Sequence, residues 1–226
     1  MSQLDRESLS PEAMQFLTAL MQGRCNLLVS GDLLADKDGL LDLLTGLIPG
    51  GRKVLRVEPG AIQAASAKGD WLEQVAAARP DHVVVTAWSK DDFLDVLRLI
   101  GAGDGVVTCI HATSLRGALQ AIELLAAQVA PQLTQKTVRE HMSRELDVIV
   151  HCEGMGRPAS IVTNITEVQY MEDGVIVMQD LFLAEKREGG YRFRPTGVRP
   201  KLLSQLEGQG IALAPSVFGV SERLFR

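Results

Sequence analysis

The sequence predicts an α/β protein: a mostly parallel β-sheet with flanking helices, followed by an antiparallel β-hairpin and a short tail. Three observations predict it. Short apolar runs alternate with capped, amphipathic runs through the first 150 or so residues, as in a sheet covered on both faces. The alternation then gives way to two longer strand-like runs joined by Glu-Asp-Gly. Of the 226 residues, 46% are hydrophobic and 23% charged, which is enough apolar material for a packed core.

The elements follow in order. "SPEAMQFLTALMQ" opens a helix, with Ser10 as N-cap, Pro11 in the first turn and Glu12 at the positive end of the helix. "CNLLVS" (25–30) is short, apolar and bounded, as a buried strand should be. A helix over 37–47 ends at "IPGG", and "KVLRV" (53–57) is the second strand. "DWLEQVAAA" (70–78) is helical and "PDHVVVTA" (80–87) is a strand. "KDDFLDVLRLI" (90–100) is a helix with acids at its start, and "GVVTCI" (105–110) is a strand. A long helix over 114–130 is capped by Ser114, a further helix covers 134–146, and "DVIVHC" (147–152) is a strand. "ASIVTNITEVQYM" and "GVIVMQDLFLAEK" form the hairpin, with Asp173-Gly174 as its turn. The remainder reads as a turn-rich tail with one short helix near "KLLSQLEGQG". The expected organisation is an α/β core over 1–152, with the hairpin and tail of 153–226 packed on the same domain.

Charge and composition exclude several classes. A net charge of −5, spread along the chain, argues against a dedicated nucleic-acid surface. No apolar run reaches the length of a membrane span, and the polar, acidic start does not read as a signal peptide, so a cytoplasmic location is expected. Cys25, Cys109 and Cys152 form no C-x-x-C pair and read as small buried hydrophobes. His82, His111, His141 and His151 are not spaced as metal ligands, and His151 and Cys152 point to opposite faces of one strand. No metal site is expected.

The stretch with the most chemical content is "SGDLLADKDG" (30–39), between a strand and a helix. That is where a phosphate-binding loop belongs. Such a loop needs glycines so that backbone N–H groups can wrap the phosphates, a Lys for the β- and γ-phosphates, and a Ser or Thr hydroxyl for Mg²⁺. Gly31 and Lys37 meet the pattern, but Asp36 stands for the second Gly and Asp38 for the hydroxyl residue. Each carboxylate beside a phosphate is repulsive by about 4 kcal/mol at 4 Å and an effective dielectric near 20. Asp32, Asp36 and Asp38 together outweigh one lysine. Lys37 is therefore read as pairing with a neighbouring Asp at the start of a helix.

Several stretches together resemble the motor domain of secretion ATPases, in particular the CpaF-type ATPases of Tad pili within the type II/type IV secretion superfamily. "LSPEAMQFLTALMQGRCNLLVSG" resembles the entry to that family's P-loop, and "RPDHVVV" its Walker B strand. "VTCIHATSLRGALQAIE" resembles its His box and following helix. "ITEVQYMEDGVIVMQDLF" and "FRPTGVRP" resemble its closing hairpin and tail. The resemblance covers residues 8–220 and implies a RecA-like P-loop NTPase fold, a ring of subunits, and nucleotide held in a cleft. It also implies a preceding N-terminal domain, and the expectation is that this chain lacks it.

Carried over residue by residue, the resemblance finds a reduced site. Gly31 and Lys37 match the nucleotide-binding loop, while Asp38 falls where its Mg²⁺ ligand would be. The family's catalytic Glu at the end of the Walker B strand is replaced by Thr86-Ala87, and Asp91 and Asp92 fall instead in the next helix's first turn. Glu58 matches an acidic-box Glu, but Pro59 replaces its acidic neighbour, and no Arg stands between Arg56 and Arg79 where the family has several. His111 is retained with Ser114 and Arg116; taken alone it reads as a core or loop histidine. The expectation is a degenerate motor domain with no functional catalytic residue, Glu58 and His111 being vestiges, and with no cofactor. It would act as an accessory subunit whose partner is a secretion or pilus ATPase. The alternative is a divergent enzyme that still uses ATP and Mg²⁺ through Lys37, Glu58 and His111.

Overall fold

The computed structural model describes residues 9–59, 70–86, 88–103, 105–155, 160–188 and 190–220. Five strands form the parallel part: β1 (Leu27–Gly31), β2 (Val54–Val57), β3 (His82–Val85), β4 (Val106–His111) and β5 (Val148–Gly154). Three antiparallel strands extend it: β6 (Ser160–Glu172), β7 (Val175–Arg187) and β8 (Gly190–Pro195). All eight lie in one sheet, in the order β2-β3-β4-β1-β5-β6-β7-β8. The helices are α1 (Pro11–Gln22), α2 (Lys37–Gly46), α3 (Asp70–Ala78), α4 (Phe93–Ala102), α5 (Leu115–Val129), α6 (Gln135–Glu145) and α7 (Leu203–Gly208).

The starts of the helices follow from their caps. Ser10 accepts from Ala13 N, Asp36 from Gly39 N, Ser114 from Gly117 N and Thr134 from Thr137 N. Each such cap contributes about 1 kcal/mol. The 90–100 region begins as a 3₁₀ turn, Lys90–Asp92, before α4. Ser89 and Asp92 cap that turn reciprocally, so the two acids sit where the sequence placed them.

Alternation along β1 assigns the two faces of the sheet. Leu27 and Val29 join a core with α1, α2 and the tail, while Leu28 joins one with α4, α5 and α6. In the first core Phe16 stacks on Phe182 and meets Phe218 edge-on, at centroid distances of 5.8 and 5.2 Å. Burying each of these rings stabilises the fold by about 1.5–3 kcal/mol. The cluster ties α1 to the hairpin and to the tail.

The hairpin turns at Asp173 and Gly174, whose φ values of 48° and 79° are the pair of positive angles that a two-residue hairpin loop requires. Arg139 of α6 pairs with Glu123 of α5 at 2.6 Å and donates to Gly174 O at 2.7 Å, so the turn is bonded to the helical layer. Buried Glu167 of β6 accepts from Leu202 N at 2.7 Å and anchors the tail. The tail departs from the sequence reading in one respect. "GYRFRP" is not a turn but strand β8, paired along β7 from Arg187↔Gly190 to Phe182↔Pro195. Its one buried residue, Phe193, supplies too weak an apolar pattern to reveal a strand in isolation.

Candidate functional site

In open α/β sheets ligands bind beyond the carboxyl ends of the parallel strands. β1 lies between β4 and β5, with Gly31 in register with His111 on one side and Cys152 on the other. The loop 32–36 leaves β1 at this edge and enters α2. Gly31 is required by packing: a Cβ there would meet Ala35 Cβ at 2.8 Å, Cys152 O at 2.8 Å and Cys152 Sγ at 2.9 Å. On the other side of the loop, Gly154 leaves room for Leu34, whose Cβ would lie 2.4 Å from an added methyl.

The loop is hydrogen-bonded to itself. Asp32 Oδ1 accepts from Leu34 N at 2.9 Å and Ala35 N at 2.7 Å, and from Gly154 N at 3.4 Å. Asp36 N donates to Ser160 Oγ at 2.9 Å, and Asp36 Oδ1 caps α2 through Gly39 N. Lys37 Nζ turns back onto the main-chain oxygen of Asp32 at 2.7 Å. The sequence reading placed the lysine on a neighbouring carboxylate; it is bonded instead to a carbonyl of its own loop. Asp38 is exposed in the first turn of α2. Leu33 and Leu34, where small residues belong in a phosphate loop, project outward at 84% and 63% exposure.

The other matched positions reach the same edge without forming a cluster. His111 is exposed at the end of β4, not buried in the core. Glu58 is exposed just after β2. β2 is three places from β1, so at about 4.8 Å per strand the Glu58 position stands about 14 Å across the sheet from Gly31. Thr86 is buried, with its N–H and hydroxyl both donating to Val57 O, and Ala87 lies outside the described residues. Trp88 then folds over the strand ends and donates its indole N–H to Cys109 O at 2.8 Å. Asp92 accepts from Ser89 N and Oγ, so its carboxylate serves a cap.

Two features lie under the loop, and the contacts of neither could be read from the sequence. Ser30 Oγ lies 2.8 Å from His151 Nδ1 in a buried pair across β1 and β5. Burial lowers the His151 pKa below its ordinary value, against the opposing pull of Glu153 and Asp32. Cys152 lies beneath Gly31, and burial pushes its thiol up to about 12. Among the described residues no group of three or more His, Cys, Asp or Glu side chains could hold a metal ion.

The sheet is an open, mostly parallel α/β sheet with its strand-to-helix loop at the carboxyl end of central β1. No protein-family model matches the chain, and no curated protein matches it. Solved structures do. The VirB11 ATPase of the Brucella suis type IV secretion system, determined with sulphate, aligns over 71% of this chain with a TM-score of 0.59 and 18% identity. The pilus retraction motor PilT with bound ADP aligns over 90% of it with a TM-score of 0.52 and 13% identity. The chain spans 56% and 55% of the lengths of those two chains. At these identities the likeness is one of fold. No described helix is long and apolar enough to cross a membrane.

Proposed function

We propose that this chain is a non-catalytic relative of the secretion and pilus ATPase motors, of the CpaF-type Tad kind, acting as an accessory, assembly or regulatory subunit beside an active motor. One observation carries the reading: the Asp32 carboxylate accepts hydrogen bonds from Leu34 N and Ala35 N. Those are amides of the loop that, in a working P-loop, would face phosphate oxygens. The loop's own anion takes them, and the loop's lysine is bonded to its own carbonyl. Thr86 stands where the Walker B strand should deliver a carboxylate, and its polar groups are already used. A cytoplasmic chain bound to the membrane-associated machine through its protein partner fits the absence of a spanning helix among the described residues.

The alternative, a divergent ATPase completed by a partner, draws on one observation: His111 is exposed and in register with Gly31. Calorimetric titration of Mg-ATP to millimolar concentration separates the two. No heat of binding is expected. Micromolar binding, or turnover abolished by Lys37→Ala, would replace this proposal with the enzyme reading. If nucleotide does not bind, co-purification with co-expressed motor ATPases is the positive test, and indifference to all of them would sink the accessory role.

A further inference from the structure

The amino ends of the parallel strands carry a groove unrelated to the loop edge. It lies between α3 and α4, has a volume of about 460 Å³, and is walled by apolar side chains including Val75, Leu99 and Val106. Arg24, Arg79 and Arg98 also line it, each from a different segment, and no carboxylate lines it among the described residues. The chain has 28 acidic against 23 basic side chains, and just outside the lining Asp95 pairs with Arg98 and Asp81 stands beside Arg24, which leaves Arg79 as the groove's cation without an ion-pair partner among the described residues.

Two of the three arginines are unusual. Arg24 follows α1 with φ 56°, and Arg79 follows α3 with φ 48°. Helices that end in this left-handed conformation ordinarily place Gly or Asn there. Backbone outliers of this kind persist where the surrounding structure holds them, and they cluster at ligand clamps. Arg24 is further fixed by its Nε bond to Asp81 O at 3.1 Å. Among the described residues the Arg79 side chain has no ion-pair partner, and it is exposed at the groove. Arg98 bonds Asp95 and stays 71% exposed.

We propose that this groove docks a segment of a partner protein that presents an apolar side chain flanked by carboxylates. The apolar walls take the side chain, Arg79 meets an acid as a charge-assisted hydrogen-bond donor, and Arg24 and Arg98, each already bonded within the chain, add positive potential beside it. A free phosphate would not need the apolar walls, and an uncharged peptide would not need the arginines. The inference does not rest on the reading of the nucleotide edge, since the groove opens at the opposite ends of the strands.

The test uses the full chain and a short fluorescent peptide with a Leu-Phe pair between glutamates, read by anisotropy beside the same peptide with lysines for the glutamates. Saturable binding of the acidic peptide alone is expected. Arg79→Gly should weaken it by about tenfold or more, the effect of one lost charge-assisted hydrogen bond. Glycine suits a φ of 48°, so this variant should keep its melting temperature, which separates lost binding from lost folding. Ala76→Trp, which fills the groove and leaves its charge alone, should weaken binding to a similar degree. The proposal is overturned if the acidic peptide fails to bind, if the lysine peptide binds as well, or if neither substitution matters. Adsorption to phosphatidylglycerol vesicles without peptide binding would assign the groove to a lipid surface and overturn it too.

Discussion

β1 begins at one polar side chain and ends at another, and the two do opposite kinds of work. Asn26, before the strand, is buried and makes three side-chain bonds that join separate parts of the chain. It donates to Ile100 O and Glu145 O at 3.2 and 2.8 Å, and accepts from Val106 N at 2.9 Å. Asp32, after the strand, is half-buried, and its two shorter bonds stay within its own loop. The first holds α4, α6 and β4 to the central strand. The second closes a loop on itself at the edge where this fold presents ligands. A polar residue whose bonds join distant elements is architecture; one whose shorter bonds go to its own loop occupies space that a ligand could have used.

Substitutions can break this contrast, beginning with the largest effect. Asn26→Leu should cost about 3 kcal/mol by urea denaturation, about 1 kcal/mol for each of three bonds lost in the interior. A loss below about 1 kcal/mol would show that the hub is not structural. Gly31→Ala drives a methyl against the Cys152 backbone and should cost about 1–3 kcal/mol, unless the loop lifts off β5 to make room. Asp32→Ala removes a cap of two amides and should cost about 1 kcal/mol. If Asp32→Ala proved as costly as Asn26→Leu, the contrast would fail.

Smaller effects sharpen it. Burial is the leading cause of the lowered pKa of both His82 and His151, so each is held neutral in the fold. Their contribution is complete above the unfolded value of about 6.5 and is lost as pH falls below it toward the folded pKa, because the unfolded chain binds more protons there. Stability should therefore fall from pH 7.5 to pH 5.5, and His151→Gln should remove part of that fall. The smallest expected change is Lys37→Ala, within about 0.5 kcal/mol for a half-exposed side chain. A catalytic lysine would leave stability equally unchanged but abolish turnover.

Much of the fold could be read in the sequence because its signals are local. The buried strands are short apolar runs, and Ser10 and Ser114 stand immediately before apolar periodicity. Asp173-Gly174 marks its own turn. β8 escaped because it exists through its neighbour: Arg194 pairs with Glu185 of β7, and only Phe193 faces the core. At the site, the identity of the altered positions was legible and their bonding was not. Asp32 could be counted as a repulsive charge, but its reach to Leu34 N and Ala35 N depends on how the loop folds. The Ser30–His151 pair joins residues 121 apart in sequence and has no local signature.

The thiol beneath the loop supplies a clock. With its pKa near 12 and its sulfur against the underside of Gly31, Cys152 is a poor nucleophile while the loop is seated. Maleimide reaches it when that corner opens, so the labelling rate of Cys152, resolved from Cys25 and Cys109 by peptide mapping, counts the openings. A partner that clamps the edge would slow the clock, and one that pries it open would make it run fast.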